Sequence, residues 1–341
     1  MLIRRTAAHN VGILGIGAYR PHRVVGNDEV AARTGRTAEW IERRTGIVER
    51  RYAATDESVV DMAVEAARKA AADAGVAPAA LDAVVLASMS NLRQSPGGAA
   101  VIADRLGAGA AAFDLNAACA GFCYALTLAA SLVRDGTARH VLVVGSDKMT
   151  DIVDPEDPAT AILFADGAGA VVVGPSSRHG QDGPDGDPGD GIGPAVWGTD
   201  GSRAGLIAHS ADWREYRDGR DVPWPTMRMA GPEVFRWAIA ELPGVARRAL
   251  DAAGVAPEEL GAFIPHQANL RMIETLVQRL ELPEQVAVAR DVAHAGNTSA
   301  ASIPLAMARL RESGAVGGGD LALLLGFGAG LTWGAQVVRI P

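Results

Sequence analysis

Ala74-Gly-Val-Ala-Pro-Ala-Ala-Leu-Asp-Ala-Val-Val-Leu86 returns 179 positions later as Ala253-Gly-Val-Ala-Pro-Glu-Glu-Leu-Gly-Ala-Phe-Ile-Pro265. In both copies a helix closes at glycine, passes through a proline turn and enters a strand. A repeat of this kind implies two similar α/β halves, expected at residues 1–178 and 179–341 and related by a pseudo-twofold axis. Gly167-Ala-Gly169 is likewise echoed by Gly328-Ala-Gly330, each followed by a β-rich run. The same offset carries Cys119 to position 298, beside Asn297 in His294-Ala-Gly-Asn-Thr-Ser-Ala-Ala-Ser302. The polar group at that second helix head is therefore expected to be the counterpart of the cysteine, with the two helix N-termini facing each other.

Outward from the repeat, strands alternate with helices. Val11–Gly17, Leu81–Ala87, Ala111–Asn116 and His140–Gly145 read as strands, and Ala161–Gly174 as a strand pair around Asp166-Gly-Ala-Gly169. Ser58–Ala74 carries Val59, Met62, Ala63, Ala66 and Ala70 at helical spacing, and Pro96–Leu106 forms another helix. This alternation predicts a mostly parallel sheet covered on both faces. With 341 residues, 48% hydrophobic and 21% charged, the chain can bury one large core or two ordinary ones. Forty acidic against 32 basic residues give a net charge of −8, which argues against nonspecific nucleic-acid binding.

Cys119 and Cys123 lie parallel on one helix face, so no disulfide is expected and the compartment is read as reducing. Met1-Leu-Ile-Arg-Arg5 is followed by no sustained apolar stretch, and no uncharged run reaches membrane-span length. A cytoplasmic protein is expected. Residues 175–194 read as a solvated loop. Its Asp182, Asp185, Asp187 and Asp190 lack the spacing and closing glutamate of a calcium loop, so no metal is expected.

Chemistry is signalled at two places. In Leu115-Asn-Ala-Ala-Cys-Ala-Gly-Phe122 an apolar run ends with Cys119 at the head of a buried helix, where unpaired N–H groups and the helix dipole favour thiolate. Cys123, one turn on, packs inside the same helix. Phe263-Ile-Pro-His-Gln-Ala-Asn269 sets His266 beyond a strand end and before the helix Leu270–Leu280, at the sheet edge where α/β proteins gather their chemistry. Trp40 and Arg44 fall four apart on the helix between Thr37 and Gly46. That spacing fits either a cation–π pair or a platform for a purine. Gly12-x-x-Gly15-x-Gly17 lacks the dinucleotide-binding spacing.

Four ordered motifs, Ala117-Ala-Cys119-Ala-Gly-Phe, Pro265-His266-Gln-Ala-Asn-Leu-Arg271, His294-Ala-Gly-Asn297-Thr-Ser and Gly326-Phe-Gly-Ala-Gly-Leu-Thr-Trp-Gly334, together resemble the β-ketoacyl-[acyl carrier protein] synthase III family of the thiolase superfamily. The resemblance runs from about Val11 to Ile340. It implies a five-layered αβαβα fold, a homodimer and an acyltransferase that condenses an acyl-CoA primer with malonyl-ACP. Cys119 in the first half would carry the acyl group as a thioester. His266 and Asn297 in the second would hydrogen-bond the malonyl thioester carbonyl, and the N–H groups of Cys119 and Ala329 would form the oxyanion hole.

The resemblance further matches Trp40, Arg44 and Thr45 to the site for the CoA adenine end, and Arg236 and Arg271 to positions that meet the acidic carrier protein. Pro158 departs from the family pattern, standing where some relatives carry an arginine that completes the adenine sandwich. Ser95 replaces a bulky aromatic of acetyl-specific relatives near the end of the acyl channel at the dimer interface, which implies room for branched or longer primers. Decarboxylation supplies the driving force, so neither metal nor redox cofactor is implied. The same triad would also serve a starter-unit synthase of polyketide assembly.

Overall fold

A computed structural model of the chain describes residues 10–176, 191–219 and 221–341. The expected boundary at 178/179 and the aspartates at 182, 185, 187 and 190 lie outside the described residues. In order come β1 (Val11–Tyr19), β2 (Arg23–Gly26), α1 (Asn27–Thr34), α2 (Ala38–Thr45), β3 (Glu49–Tyr52), α3 (Val59–Asp73), β4 (Ala83–Ala87), α4 (Gly98–Leu106), β5 (Ala111–Leu115), α5 (Gly121–Arg134), β6 (Val141–Lys148) and β7 (Asp166–Pro175). Next are β8 (Val196–Thr199), β9 (Ile207–His209), α6 (Trp213–Asp218), β10 (Met227–Met229), α7 (Gly231–Ala253), β11 (Leu260–Pro265), α8 (Leu270–Leu280), β12 (Ala287–Val288), α9 (Val292–Ala295), α10 (Ser302–Glu312), β13 (Leu321–Gly328) and β14 (Thr332–Arg339).

Ten of the strands build two five-stranded sheets of one topology, β1-β7-β6-β4-β5 and β8-β14-β13-β11-β12, and the other four form the ribbons β2-β3 and β9-β10. Three apolar layers hold them. α5 and α10 lie between the sheets, where Phe122, Leu126, Val133, Ile303 and Met307 meet inward-facing residues of both. α3 and α4 cover the outer face of the first sheet through Met62, Ala66, Ala70 and Ile102, and α7 and α8 cover the second through Trp237, Leu242, Leu250 and Leu276. The result is the five-layered αβαβα thiolase arrangement. Burying one such large apolar side chain contributes about 1.5–3 kcal/mol.

Local sequence sets the element ends. Ser58 and Asp61 form a reciprocal capping box at the start of α3, and Thr37 caps α2 by accepting the Trp40 N–H. One expectation holds with an exception and another needs correction. Four strands of each sheet run the same way and one is reversed: β7 runs antiparallel to both β1 and β6, and β14 runs antiparallel to both β13 and β8. Residues 161–164 form a turn and a single bridge from Phe164 to Asn297, not the first strand of a pair, since the Leu163 N–H closes back on Thr160 O.

The repeat offset also changes along the chain. Ala83 pairs with Val141 in the first sheet and its mate Ala262 pairs with Ala322 in the second, so the offset grows from 179 to 181 past the first strand of each repeat. Asn116 Oδ1 accepts the Ala118 N–H at 3.1 Å, and Asn297 Oδ1 accepts the Ser299 N–H at 2.9 Å. Ala118 and Ser299 both take left-handed backbone conformations, with φ of 47° and 53°. The partner of Asn297 is thus Asn116, and that of Cys119 is Ala300. The pseudo-twofold relation stands, but the polar group facing the cysteine is not its repeat mate.

Candidate active site

Cys119 sits in a single 3₁₀ turn, Ala118–Ala120, wedged between the end of β5 and the first turn of α5. Left-handed Ala118 costs about 1–3 kcal/mol and persists because the turn is buried on every side. The end of β13 lies directly against it. A Cβ built on Gly328 would stand 2.8 Å from Cys119 N and 2.9 Å from Cys119 Cβ, so only glycine leaves space before that N–H. The expected thiolate is opposed by burial. Burial pushes the Cys119 thiol up to about 12, assisted by the nearby charge of Asp147, while the Ser299 hydroxyl and the residue's own amide oppose it only in part. Desolvation is the largest influence on the thiol.

His266 follows β11 directly. Its N–H donates to Leu325 O at 2.8 Å, and its ring meets Phe327 edge-on at 5.1 Å. Nδ1 lies 2.7 Å from Ser302 Oγ, which already accepts the Gln267 N–H at 3.3 Å. We assign the Ser302 hydroxyl as donor to Nδ1, which places the imidazole hydrogen on Nε2. Burial pulls His266 down to about 3, so the ring is neutral at physiological pH. Asn297 is held by its backbone, N–H to Leu163 O at 2.9 Å and C=O from Ala165 N–H at 2.8 Å. Its Nδ2 makes one long bond, 3.4 Å to Ala268 O. Two neutral side chains are thus fixed by neighbouring elements, with N–H capacity left over.

Cys119, His266 and Asn297 line the floor of one cavity of about 670 Å³, with Phe327, Gly328 and Ala329 beside them. Its walls are mostly apolar: Met89, Leu163, Phe164, Ile207, Met227, Phe235 and Trp237. The family described as 3-oxoacyl-[acyl-carrier-protein (ACP)] synthase III matches residues 113–201, and that described as its C terminal matches residues 250–340. β-Ketoacyl-[acyl-carrier-protein] synthase III of Streptomyces glaucescens is 49% identical over 330 residues, 96% of each chain. The chain belongs to the β-ketoacyl-[acyl-carrier-protein] synthase III family. The mycobacterial synthase III of Mycolicibacterium paratuberculosis is 50% identical over 333 residues, 97% of this chain and 96% of the other. Among solved structures, the priming β-ketosynthase from the R1128 polyketide biosynthetic pathway superposes with a TM-score of 0.94 at 48% identity, covering 99% of this synthase and 98% of that chain. The synthase III of Pseudomonas aeruginosa PAO1 gives 0.86 at 38%, covering 98% and 99%. The synthase is accordingly a condensing acyltransferase.

Trp40, Arg44, Thr45, Pro158, Arg236 and Arg271 all border the outer part of this synthase's cavity. The cation over the Trp40 ring is Arg36, 4.9 Å from its centroid and just before the Thr37 cap of α2, instead of the helix-mate Arg44 suggested by spacing. The Thr45 hydroxyl is turned inward, donating to Ile41 O at 2.7 Å and accepting the Ile47 N–H at 3.0 Å, so a ligand would meet its methyl instead. Arg271 donates to Arg43 O at 3.1 Å and caps the last turn of α2, while Arg236 pairs with Glu233 at 3.1 Å. Ser95 is exposed on the loop before α4 and does not line the cavity within one chain; Met89, from the end of β4, does. Ser302 and Phe327, which orient His266, were not picked out from sequence. Both stand inside or beside quoted motifs, but nothing in their spacing signals contact with the ring.

Proposed function

We propose that this synthase primes acyl-chain assembly, with Cys119, His266 and Asn297 as its catalytic residues. The reading is carried by the meeting of one thiol and two neutral N–H donors on the floor of one apolar cavity with arginines at its mouth. The Cys119 sulfur attacks an acyl-CoA carbonyl, CoA leaves as its thiol with the Cys119 proton, and the acyl group stays as a thioester. Malonyl-ACP then enters. Its C–CO₂⁻ bond breaks, CO₂ departs, and the electron pair becomes an enolate whose oxygen takes hydrogen bonds from His266 Nε2–H and Asn297 Nδ2–H. Neutral donors that are already fixed stabilise that charge without reorganising. The carbanion attacks the acyl-Cys119 carbonyl, the cysteine leaves as thiolate and recovers a proton from water, and 3-oxoacyl-ACP is released. The N–H groups of Cys119 and Ala329 serve the tetrahedral oxyanions.

At the mouth, the Trp40 face is assigned to the adenine end of CoA beside Arg44. Arg43, Arg44, Arg236 and Arg271 give a basic rim on an acidic protein, suited to an acidic carrier. Intact-mass measurement after incubation with mixed acyl-CoAs tests the reading. One acyl group per chain is expected, mapped to the Cys119 peptide, and its mass names the primer. No adduct from any acyl-CoA would sink it. The likeness to a priming ketosynthase keeps polyketide initiation as a second placement for the same chemistry. Transfer of the condensed product to fatty-acid or to polyketide carrier proteins separates the two.

A homodimer fits one further feature. β5 ends the first sheet, pairs among the described residues only with β4, and is exposed or half-buried along its length, with Phe113 39% exposed. An open, apolar edge strand is a site of association, and two copies joined through it about a twofold axis leave no open edge there. Light scattering is expected to give twice the chain mass, and Phe113→Lys a shift toward the single chain. A wild-type monomer at micromolar concentration would refute this. Among the described residues no helix is long and apolar enough to cross a membrane, and both cysteines are unbridged, which fits action in the cytoplasm.

A further inference from the structure

Asp147 is fully buried near the end of β6, and the chemistry above does not use it. Its Oδ1 accepts hydrogen bonds from Ser88 Oγ at 3.0 Å, Met89 N at 2.9 Å, Ser90 N at 3.1 Å and Ser90 Oγ at 2.7 Å. Its Oδ2 accepts the Ala300 N–H at 3.0 Å. Every partner is a donor, so the group they fit is a carboxylate. The first set belongs to the chain just past β4, including the cavity residue Met89. The last belongs to the turn that carries Asn297, left-handed Ser299 and Ser302, the partner of His266.

The repeat gives this contact its meaning. With the 181 offset, Asp147 is the mate of Gly328, and Ala300 is the mate of Cys119. At Cys119 the strand residue opposite the N–H has no side chain, and the space before that N–H stays open. At Ala300 the same space is filled by the Asp147 carboxylate. One copy of a duplicated anion-binding turn is left for a substrate oxygen, and the other holds an internal carboxyl group, whose pKa burial raises while its Ser90, Met89, Ala300 and Ser299 donors pull it back toward the charged form.

We propose that Asp147 is a positioning residue: as a built-in anion in the second copy of the oxyanion hole, it fixes the turn that aims Asn297 and His266. This rests on the assignment of those two side chains to decarboxylation. Ser299 Oγ is buried without a hydrogen bond of good geometry, between groups whose charged forms it favours, Asp147 and Cys119. The ionisable groups about Asp147 are then the Cys119 thiol, whose proton its charge helps retain, and Lys148. Lys148, next on the strand, turns to the opposite face and donates to Ala54 O at 2.9 Å and Glu57 O at 2.8 Å, with Asp151 at 3.5 Å.

Asp147→Asn sets an amide N–H against the Ala300 N–H and removes the charge. In folded protein, CO₂ release from malonyl-ACP is expected to fall at least tenfold while acylation of Cys119 stays within threefold of wild type. The pH profile of Cys119 alkylation by iodoacetamide is expected to move to lower pH. A role in stability alone would scale both half-reactions together and leave that profile in place, and either result overturns the proposal. Should the variant not fold, Ser90→Ala removes one anchor of the carboxylate and keeps its charge. A smaller fall in CO₂ release with acylation intact supports the proposal, and an unchanged ratio overturns it. Wild type that forms no acyl-Cys119 and releases no CO₂ refutes the functional reading itself, and the proposal with it. Active wild type beside an unaltered Asp147→Asn refutes the proposal alone.

Discussion

Cys119→Ala is expected to lower condensation by about 10⁴–10⁶-fold, the scale on which loss of a covalent nucleophile is felt when the rest of a site survives. The acyl adduct disappears with it. Cys119 is buried in a turn where the smaller side chain is tolerated, so the fold is kept, and loss of one buried sulfur costs about 1 kcal/mol. The more telling result concerns the other half-reaction. His266 is oriented by Ser302 and Phe327, and Asn297 by Leu163 and Ala165, so neither donor depends on the sulfur. The variant is expected to go on releasing CO₂ from malonyl-ACP, yielding acetyl-ACP by protonation of the enolate and no 3-oxoacyl product. Parallel assays of CO₂ and 3-oxoacyl-ACP check this. Condensation at more than one-hundredth of the wild-type rate would remove Cys119 from the covalent role.

That separation reflects what sequence could and could not disclose. The Ala74–Leu86 repeat disclosed the duplication because turn and strand chemistry are local: glycine, proline and an apolar run keep their order wherever the unit recurs. It disclosed less about pairing across the axis, because the offset grows from 179 to 181 between the first strand of each repeat and the head of its central helix. A two-residue drift is enough to move the mate of Cys119 from the neighbourhood of Asn297 to Ala300. The thiolate expectation is opposed for a related reason. A helix head is visible in sequence, but the burial that raises Cys119 includes β13, packed against it from the other half of the chain. Arg36 lies over the Trp40 ring from the chain ahead of the Thr37 cap, where helical spacing does not apply, so the i, i+4 pattern pointed only to Arg44. Ser95 gives no sign of its place in a single chain, since its expected environment needs a second copy.

Gly328→Ala is the second large effect, and it acts on the half-reaction that Asp147 leaves alone. The added methyl would stand 2.8 Å from Cys119 N, 2.9 Å from Cys119 Cβ and 3.3 Å from Cys119 Cα. Two of these are backbone atoms, and the turn that holds them is closed by the Ala120 N–H to Ala117 O bond at 3.1 Å, so neither side yields as a flexible side-chain end would. Either the Cys119 N–H turns from the cavity or the end of β13 moves off with Ala329; both displace an oxyanion donor. Losing one such donor slows acyl transfer by about 10²–10³-fold, and the overpacking costs about 1–3 kcal/mol of stability. Single-turnover acylation of Cys119, followed by intact mass at a temperature where both proteins are folded, is expected to show that fall. CO₂ release, assigned above to His266 and Asn297, is expected to change far less. Acylation within threefold of wild type would mean that the carbonyl oxygen does not use the Cys119 N–H. Opposite splits at positions 147 and 328 are what a duplicated fold predicts if its two equivalent turns divide the reaction, one receiving the substrate's oxyanion and the other kept in place by an anion of the protein's own.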